Sequence, residues 1–203
     1  MFLFGESYQT NMAGHFGGNP YSWGGGANSP HISRYFIARG WVFPWEVVVD
    51  AACATGYGTK LISQIAKKAI GLEVDEGCIQ DAKNTWGEDE RCEYHIADLD
   101  KCELPEADVL ISIESVEHLN DMYHFINEAK KKMRRLIIVC VPIGGTSWAY
   151  ANEPKSPATE KNDFLNDSDV DKLVCDDTWK LQTGFRYGYS YFGVYYKTEP
   201  KKP

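Results

Sequence analysis

Asp50-Ala51-Ala52-Cys53-Ala54-Thr55-Gly56-Tyr57-Gly58-Thr59 is the stretch on which the reading of this chain turns. It follows Val47-Val48-Val49, a short apolar run suited to a strand buried on both faces. It leads into Gly58 to Ala69, where Leu61, Ile62, Ile65 and Ala66 fall on one helical face. Small residues between a strand and a helix let the backbone approach a ligand. The helix start also offers unpaired N–H groups to an anion. Ala69 to Val74 reads as the next strand, with Glu73 at its end. A carboxylate at that place accepts hydrogen bonds from the hydroxyls of a ribose.

Outward from this centre the alternation continues. Ser29 and Pro30 start a helix that carries Ile32, Tyr35, Phe36 and Arg39. Asp75 caps a helix with Cys78, Ile79 and Ala82 on its inner face. Further strands are expected at Cys92 to Ala97, Ala107 to Ser112 and Arg135 to Val141, the last ended by Pro142, with a helix over Asp121 to Met133. Strands alternating with helices predict an α/β fold, a Rossmann-like doubly wound sheet that is mostly parallel. The tail departs from this rhythm. After a short helix from Asp167 to Cys175, Trp179 to Phe185 and Tyr189 to Tyr196 are consecutive strands, which predicts an antiparallel hairpin at the sheet edge. Residues 1–30 are rich in Gly, Asn and Ser and form an arm or loop, leaving 31–203 as a single domain.

The 203 residues carry a net charge of −8. That balance argues against duplex DNA or an anionic membrane as the main partner, since both need a basic footprint. The dense basic run, Lys130 to Lys132 with Arg134 and Arg135, is expected at a solvated helix end. None of the six cysteines forms a C-x-x-C pair, so no zinc site is predicted and reduced thiols in a cytoplasmic protein are expected. No leader-like N-terminus and no apolar run of spanning length is present, which predicts a protein without membrane partners.

Asp50 to Thr59 resembles the first motif of class I S-adenosylmethionine-dependent methyltransferases, roughly D-x-G-C-G-T-G-Y-G-T. The similarity extends through Gly71-Leu72-Glu73-Val74, Ala97-Asp98-Leu99 and Ser112-Ile113-Glu114-Ser115-Val116-Glu117-His118-Leu119, the last like the S-F-E-x-I-E-H-L segment of the small-molecule branch. Val141-Pro142-Ile143-Gly144 resembles an S-x-P-N-G turn, and His31-Ile32-Ser33-Arg34-Tyr35 an H-x-x-R-Y element. The resemblance implies S-adenosyl-L-methionine as cofactor. It implies that the backbone of Ala52, Cys53, Ala54 and Gly56 meets the methionine part and sugar, and that Glu73 and Val74 hold the ribose side. Asp98 and Leu99 would meet the adenine, Ser112 and Ile113 the methionine part. Arg34 and Tyr35 would close over the cofactor, with Tyr57 near the sulfonium.

Two family glycines are replaced by Ala52 and Ala54. Alanine resists a positive φ, so these positions bear on cofactor affinity. For catalysis the candidates are His118, whose ordinary pKa lies near neutrality, and Glu114, both after the fourth strand. His118 is the first choice as base, or else orders the loop with Glu117 and caps the following helix. Glu114 is expected as a cofactor-side or loop-ordering carboxylate rather than a base. His15 lies in the arm, His95 reads as a satisfied strand residue and His124 as solvated on its helix. The expected reaction is methyl transfer to a small-molecule or sugar-like acceptor. No Asn/Asp-Pro-Pro-Tyr/Phe motif follows the fourth strand, which argues against DNA amino methylation. Two alternatives stand beside this reading. One is a non-catalytic S-adenosylmethionine-binding module. The other is a nicotinamide-dependent oxidoreductase, whose glycine register Ala52-x-Ala54-x-x-Tyr57 fits poorly.

Overall fold

The computed structural model describes residues 30–143, 164 and 166–198. The arm at 1–29, with His15 and Ser29, and the segment 144–163 lie outside the described residues. The chain divides into two compact units that meet in sequence between Ala97 and Asp98.

The first unit begins with helix α1 (Pro30–Arg39), then strand β1 (Val47–Ala51), helix α2 (Tyr57–Ser63), strand β2 (Lys68–Glu73), helix α3 (Glu76–Trp86) and strand β3 (Cys92–Ile96). Both β1–β2 and β2–β3 pair in parallel, with Val47 opposite Lys68 and Ala69 opposite Cys92. Parallel pairing follows from the crossover helices, which return each strand to the same end. Asp75 caps α3 as expected: its carboxylate accepts the Cys78 N–H at 2.9 Å. The helix expected over 58–69 is shorter, ending at Ser63. The Ile62 carbonyl takes the N–H of both Ile65 and Ala66, which tightens the last turn. The chain then reaches Lys68, already paired in β2. The apolar spacing of Ile65 and Ala66 is satisfied in that turn, so periodicity alone overran the helix end.

The second unit holds strand β4 (Ala107–Ile113), a 3₁₀ turn at Val116–His118, helix α4 (Met122–Lys132), strand β5 (Met133–Pro142), helix α5 (Asp167–Val174), strand β6 (Trp179–Tyr187) and strand β7 (Ser190–Lys197). β4 and β5 are parallel, while β7 is antiparallel to both β5 and β6. The C-terminal hairpin is thus present, with its second strand against β5. β5 starts at Met133, the C-cap residue of α4, so no loop separates them. The Lys197 ammonium donates to the Lys130 and Met133 carbonyls and caps that junction. The core of this unit is built on apolar strand residues, with Leu110, Ile111, Ile137 and Val139 fully buried.

Two other expectations have specific outcomes. The basic run does sit at a helix end, and its cations are paired: Lys130 with Asp176, Lys131 with Glu128, Lys132 with Glu103 and Arg134 with Asp108. His124 is not simply solvated: its Nε2 is buried with no hydrogen-bond partner among the described residues. The described cysteines, all six, are free.

Candidate functional site

In the first unit, Asp50, the penultimate residue of β1, is a fully buried carboxylate. The Tyr35 hydroxyl of α1 donates to its Oδ1 at 2.9 Å, and the Thr59 hydroxyl of α2 donates to its Oδ2 at 2.6 Å. Burial pushes Asp50 up from 3.8 to about 6, the two hydroxyls pull it down, and the charge of Glu73 adds to the rise. The same burial and the Asp50 charge raise Tyr35 and Cys53 well above their ordinary values.

The chain then curls. Ala52, Ala54 and Gly56 have φ of 60°, 47° and 78°, so every second residue is left-handed. Of these only glycine adopts that region without a Cβ penalty. The curl is pinned to β2 by the Cys53 N–H, which donates to the Leu72 carbonyl at 3.0 Å. Close docking needs Gly71: a Cβ there would lie 2.8 Å from both Cys53 Sγ and Thr59 Oγ1.

Glu73 completes the arrangement. Its Oε2 accepts the Ala54 N–H at 3.1 Å, and its Oε1 accepts the N–H groups of Val74 and Asp75 at 2.8 and 3.1 Å. One strand-end carboxylate therefore holds the curled loop on one side and the start of α3 on the other. Ala52, Ala54, Thr55 and Tyr57 remain half-buried along the loop, and Val74 is exposed. Tyr57 stands edge-on to Tyr35 at 5.4 Å. Arg34 and Tyr35 are both buried, and Tyr35 meets the loop's Asp50 through its hydroxyl.

In the second unit, Asp98 accepts the Asp100 N–H and pairs with Lys101 at 2.6 Å, and Leu99 is buried. Ser112 is buried near the end of β4, its hydroxyl bonded to that of Ser115, and Ile113 is the last strand residue. Glu114 follows with φ 51°. Its N–H donates to the Cys140 carbonyl, and its Oε1 accepts the Ser190 hydroxyl at 2.7 Å and the Cys140 thiol at 3.8 Å. A glutamate held left-handed and hydrogen-bonded across three strand ends has a fixed carboxylate direction. His118 is about half exposed, with Nε2 3.9 Å from the buried Glu117.

The sequence reading missed several residues that build these sites. Thr59 belongs to the quoted stretch, yet its hydrogen bond to Asp50 is invisible to spacing. Tyr94 fills the space against Gly56, where a Cβ would sit 2.5 Å from its ring, and its hydroxyl donates to the Gly56 carbonyl. Trp86 donates its indole N–H to the Thr55 carbonyl. Ser190, 76 residues from Glu114, carries no local signal at all.

Solved structures share this architecture. The PH0226 protein of Pyrococcus horikoshii superposes with a TM-score of 0.71 at 16% identity, covering 97% of this chain and 100% of that one. Magnesium protoporphyrin IX methyltransferase of Synechocystis, crystallised with bound S-adenosylhomocysteine, gives 0.66 at 15% identity over 83% and 84% of the two chains. The fold is therefore Rossmann-like, mostly parallel with antiparallel C-terminal strands.

Residues 49–136 match the family profile described as a methyltransferase domain. A Mycolicibacterium smegmatis protein named a probable S-adenosylmethionine-dependent methyltransferase is 32% identical over 131 residues, 63% of this chain and 49% of its own length. A Mycobacterium tuberculosis protein of the same description is 29% identical over 133 residues, 64% of this chain and 47% of its own. The chain thus spans about half the length of the curated relatives it matches. Among the described residues no helix is long and apolar enough to cross a membrane.

Proposed function

We propose that this chain binds S-adenosyl-L-methionine at the loop after β1 and transfers its methyl group to a small-molecule or sugar-like acceptor. The observation that carries the reading is the link between Glu73 and the left-handed curl of 52–56, which brings two carboxylates and half-open backbone together at the carboxyl ends of β1 and β2. The residues fit such a cofactor. Asp50 is a buried acid with hydroxyl donors and no cationic partner among the described residues, matched to a ligand that is positive. Glu73 stands at the ribose position of the fold, beside the exposed, apolar Val74. Asp98, Leu99, Ser112 and Ile113 are assigned to the cofactor by motif position, as are Arg34, Tyr35 and Tyr57.

When bound, the cofactor supplies a methyl already activated by its sulfonium. What remains for the protein is to hold the acceptor in line, exclude water and take a proton where the acceptor has one to lose. Glu114 suits the last task because Ser190 and its own backbone fix its carboxylate. His118 is the second candidate, more exposed and less fixed. Equilibrium titration with S-adenosylmethionine and S-adenosylhomocysteine tests the reading, with saturable binding of both as the expected result. Failure of either to bind at millimolar concentration overturns it.

The strain at Ala52 and Ala54 favours a second reading, a cofactor-binding module without turnover. A cell-extract screen with methyl-labelled cofactor separates the two, since only an enzyme transfers label to an acceptor.

A further inference from the structure

We propose that Asp50, aimed by Tyr35, selects the cofactor by its positive charge, and that binding expels the proton that Asp50 otherwise holds. This rests on the cofactor reading above and adds to it a basis for telling the cationic cofactor from its neutral-sulfur product.

The geometry comes first. A carboxylate fully removed from water is costly unless a cation or several donors compensate it. Asp50 has two hydroxyl donors, Tyr35 and Thr59, and no cation paired with it among the described residues. The groups facing it deepen the deficit. From α1 comes Tyr35 and from α2 Thr59, with Tyr57 beside Tyr35. The loop contributes Cys53, β2 contributes Glu73 and β3 contributes Tyr94. Each of these is neutral or negative. Arg34, next to Tyr35 in the helix, is buried with other partners and makes no hydrogen bond or ion pair to Asp50.

The ligand-free site therefore holds a proton on Asp50 up to about pH 6, where burial has moved its titration. A ligand carrying a sulfonium and an ammonium supplies the missing positive charge and favours the ionised carboxylate. Binding then releases a proton from Asp50 to solvent, and nothing else changes covalently. Tyr35 is a positioning residue in this scheme: its O–H holds the carboxylate and favours the ionised form.

Calorimetric titration of the chain with S-adenosylmethionine between pH 5 and 7, in two buffers of different ionisation heat, tests this. For one proton titrating near pH 6, affinity should be about tenfold weaker at pH 5 than at pH 7, with about half a proton released at pH 6. S-adenosylhomocysteine, with one positive charge fewer, should show a shallower profile. Asp50→Asn should flatten the profile for S-adenosylmethionine. Tyr35→Phe, which removes one donor and leaves the carboxylate, should move the midpoint to higher pH. It also keeps the question answerable if the Asp50 variant does not fold. Binding that is flat with pH in the parent chain, or an unchanged midpoint in Tyr35→Phe, overturns the proposal and leaves the cofactor reading standing. Absence of binding by both ligands at every pH overturns the two together.

Discussion

Alanines at 52 and 54 occupy a backbone conformation that costs an L-residue about 1–2 kcal/mol. Their retention of φ 60° and 47° means the loop's other anchors outweigh that strain. These anchors are the Cys53 N–H on Leu72 and the Ala54 N–H on Glu73. Ala54→Gly should therefore stabilise the chain, against the usual direction for an added glycine. Relief of the strain exceeds the extra freedom glycine gains when unfolded, for a net gain of about 0.5–1 kcal/mol. Gly56→Ala is the opposite case. It adds a methyl 2.5 Å from the Tyr94 ring at φ 78°, and should cost about 3 kcal/mol. Urea denaturation of the two variants checks both signs. Equal destabilisation by both would mean that the strain at 54 is absent in solution. The replacement of glycines was legible in the sequence, but its meaning was not, because only φ tells an innocuous alanine from a strained one.

At the scale of elements, the sequence reading succeeded where a period or a cap carried the signal. Asp75 announced α3, and the apolar runs of β1, β4 and β5 announced buried strands. It failed where an element ends for tertiary reasons, as α2 does at Ser63. It was also blind to side chains that join distant elements, such as Ser190 on Glu114. Asp171 is another such residue. From α5 it accepts both the Tyr191 and Tyr195 hydroxyls of β7, at 2.9 and 2.8 Å, through one oxygen. Both rings are buried, and Tyr195 fully so. Gly184 and Gly193 are required beneath them, since a Cβ at either would meet a tyrosine hydroxyl within 2.4 Å. Asp171→Ala should strand two buried phenols and cost about 2–4 kcal/mol. Asp171→Asn keeps an acceptor and should cost about half as much. Thermal unfolding monitored by tyrosine fluorescence would read the difference. Equal losses for the two variants would show that the carboxylate merely fills space.

For the whole molecule, the burial of Asp50 sets a pH dependence that runs against the surface. Glu88, Asp89, Glu93, Glu128 and Asp176 are held below their ordinary ranges by backbone N–H groups and lysines. Each adds stability as pH rises through the acid range, by small amounts where the carboxylate is solvent-screened. Asp50 acts in the other direction. Its folded-state titration, near pH 6, lies above the 3.8 of an ordinary aspartate. Between those values the native chain holds a proton that the unfolded chain has lost, so stability falls as pH rises through that window. The full difference corresponds to about 3 kcal/mol. The surface groups are common to the parent chain and Asp50→Asn, and cancel on comparison. The ligand-free variant should thus gain about 2.4 kcal/mol of that relative to the parent between pH 4 and pH 7. Urea unfolding of both proteins at half-unit steps measures that drift. Parallel profiles would mean that Asp50 ionises freely in the folded chain, through water or relaxation reaching the end of β1. A drift that disappears when S-adenosylmethionine is present would place the compensating charge on the ligand, since the bound cation removes the reason for Asp50 to stay protonated.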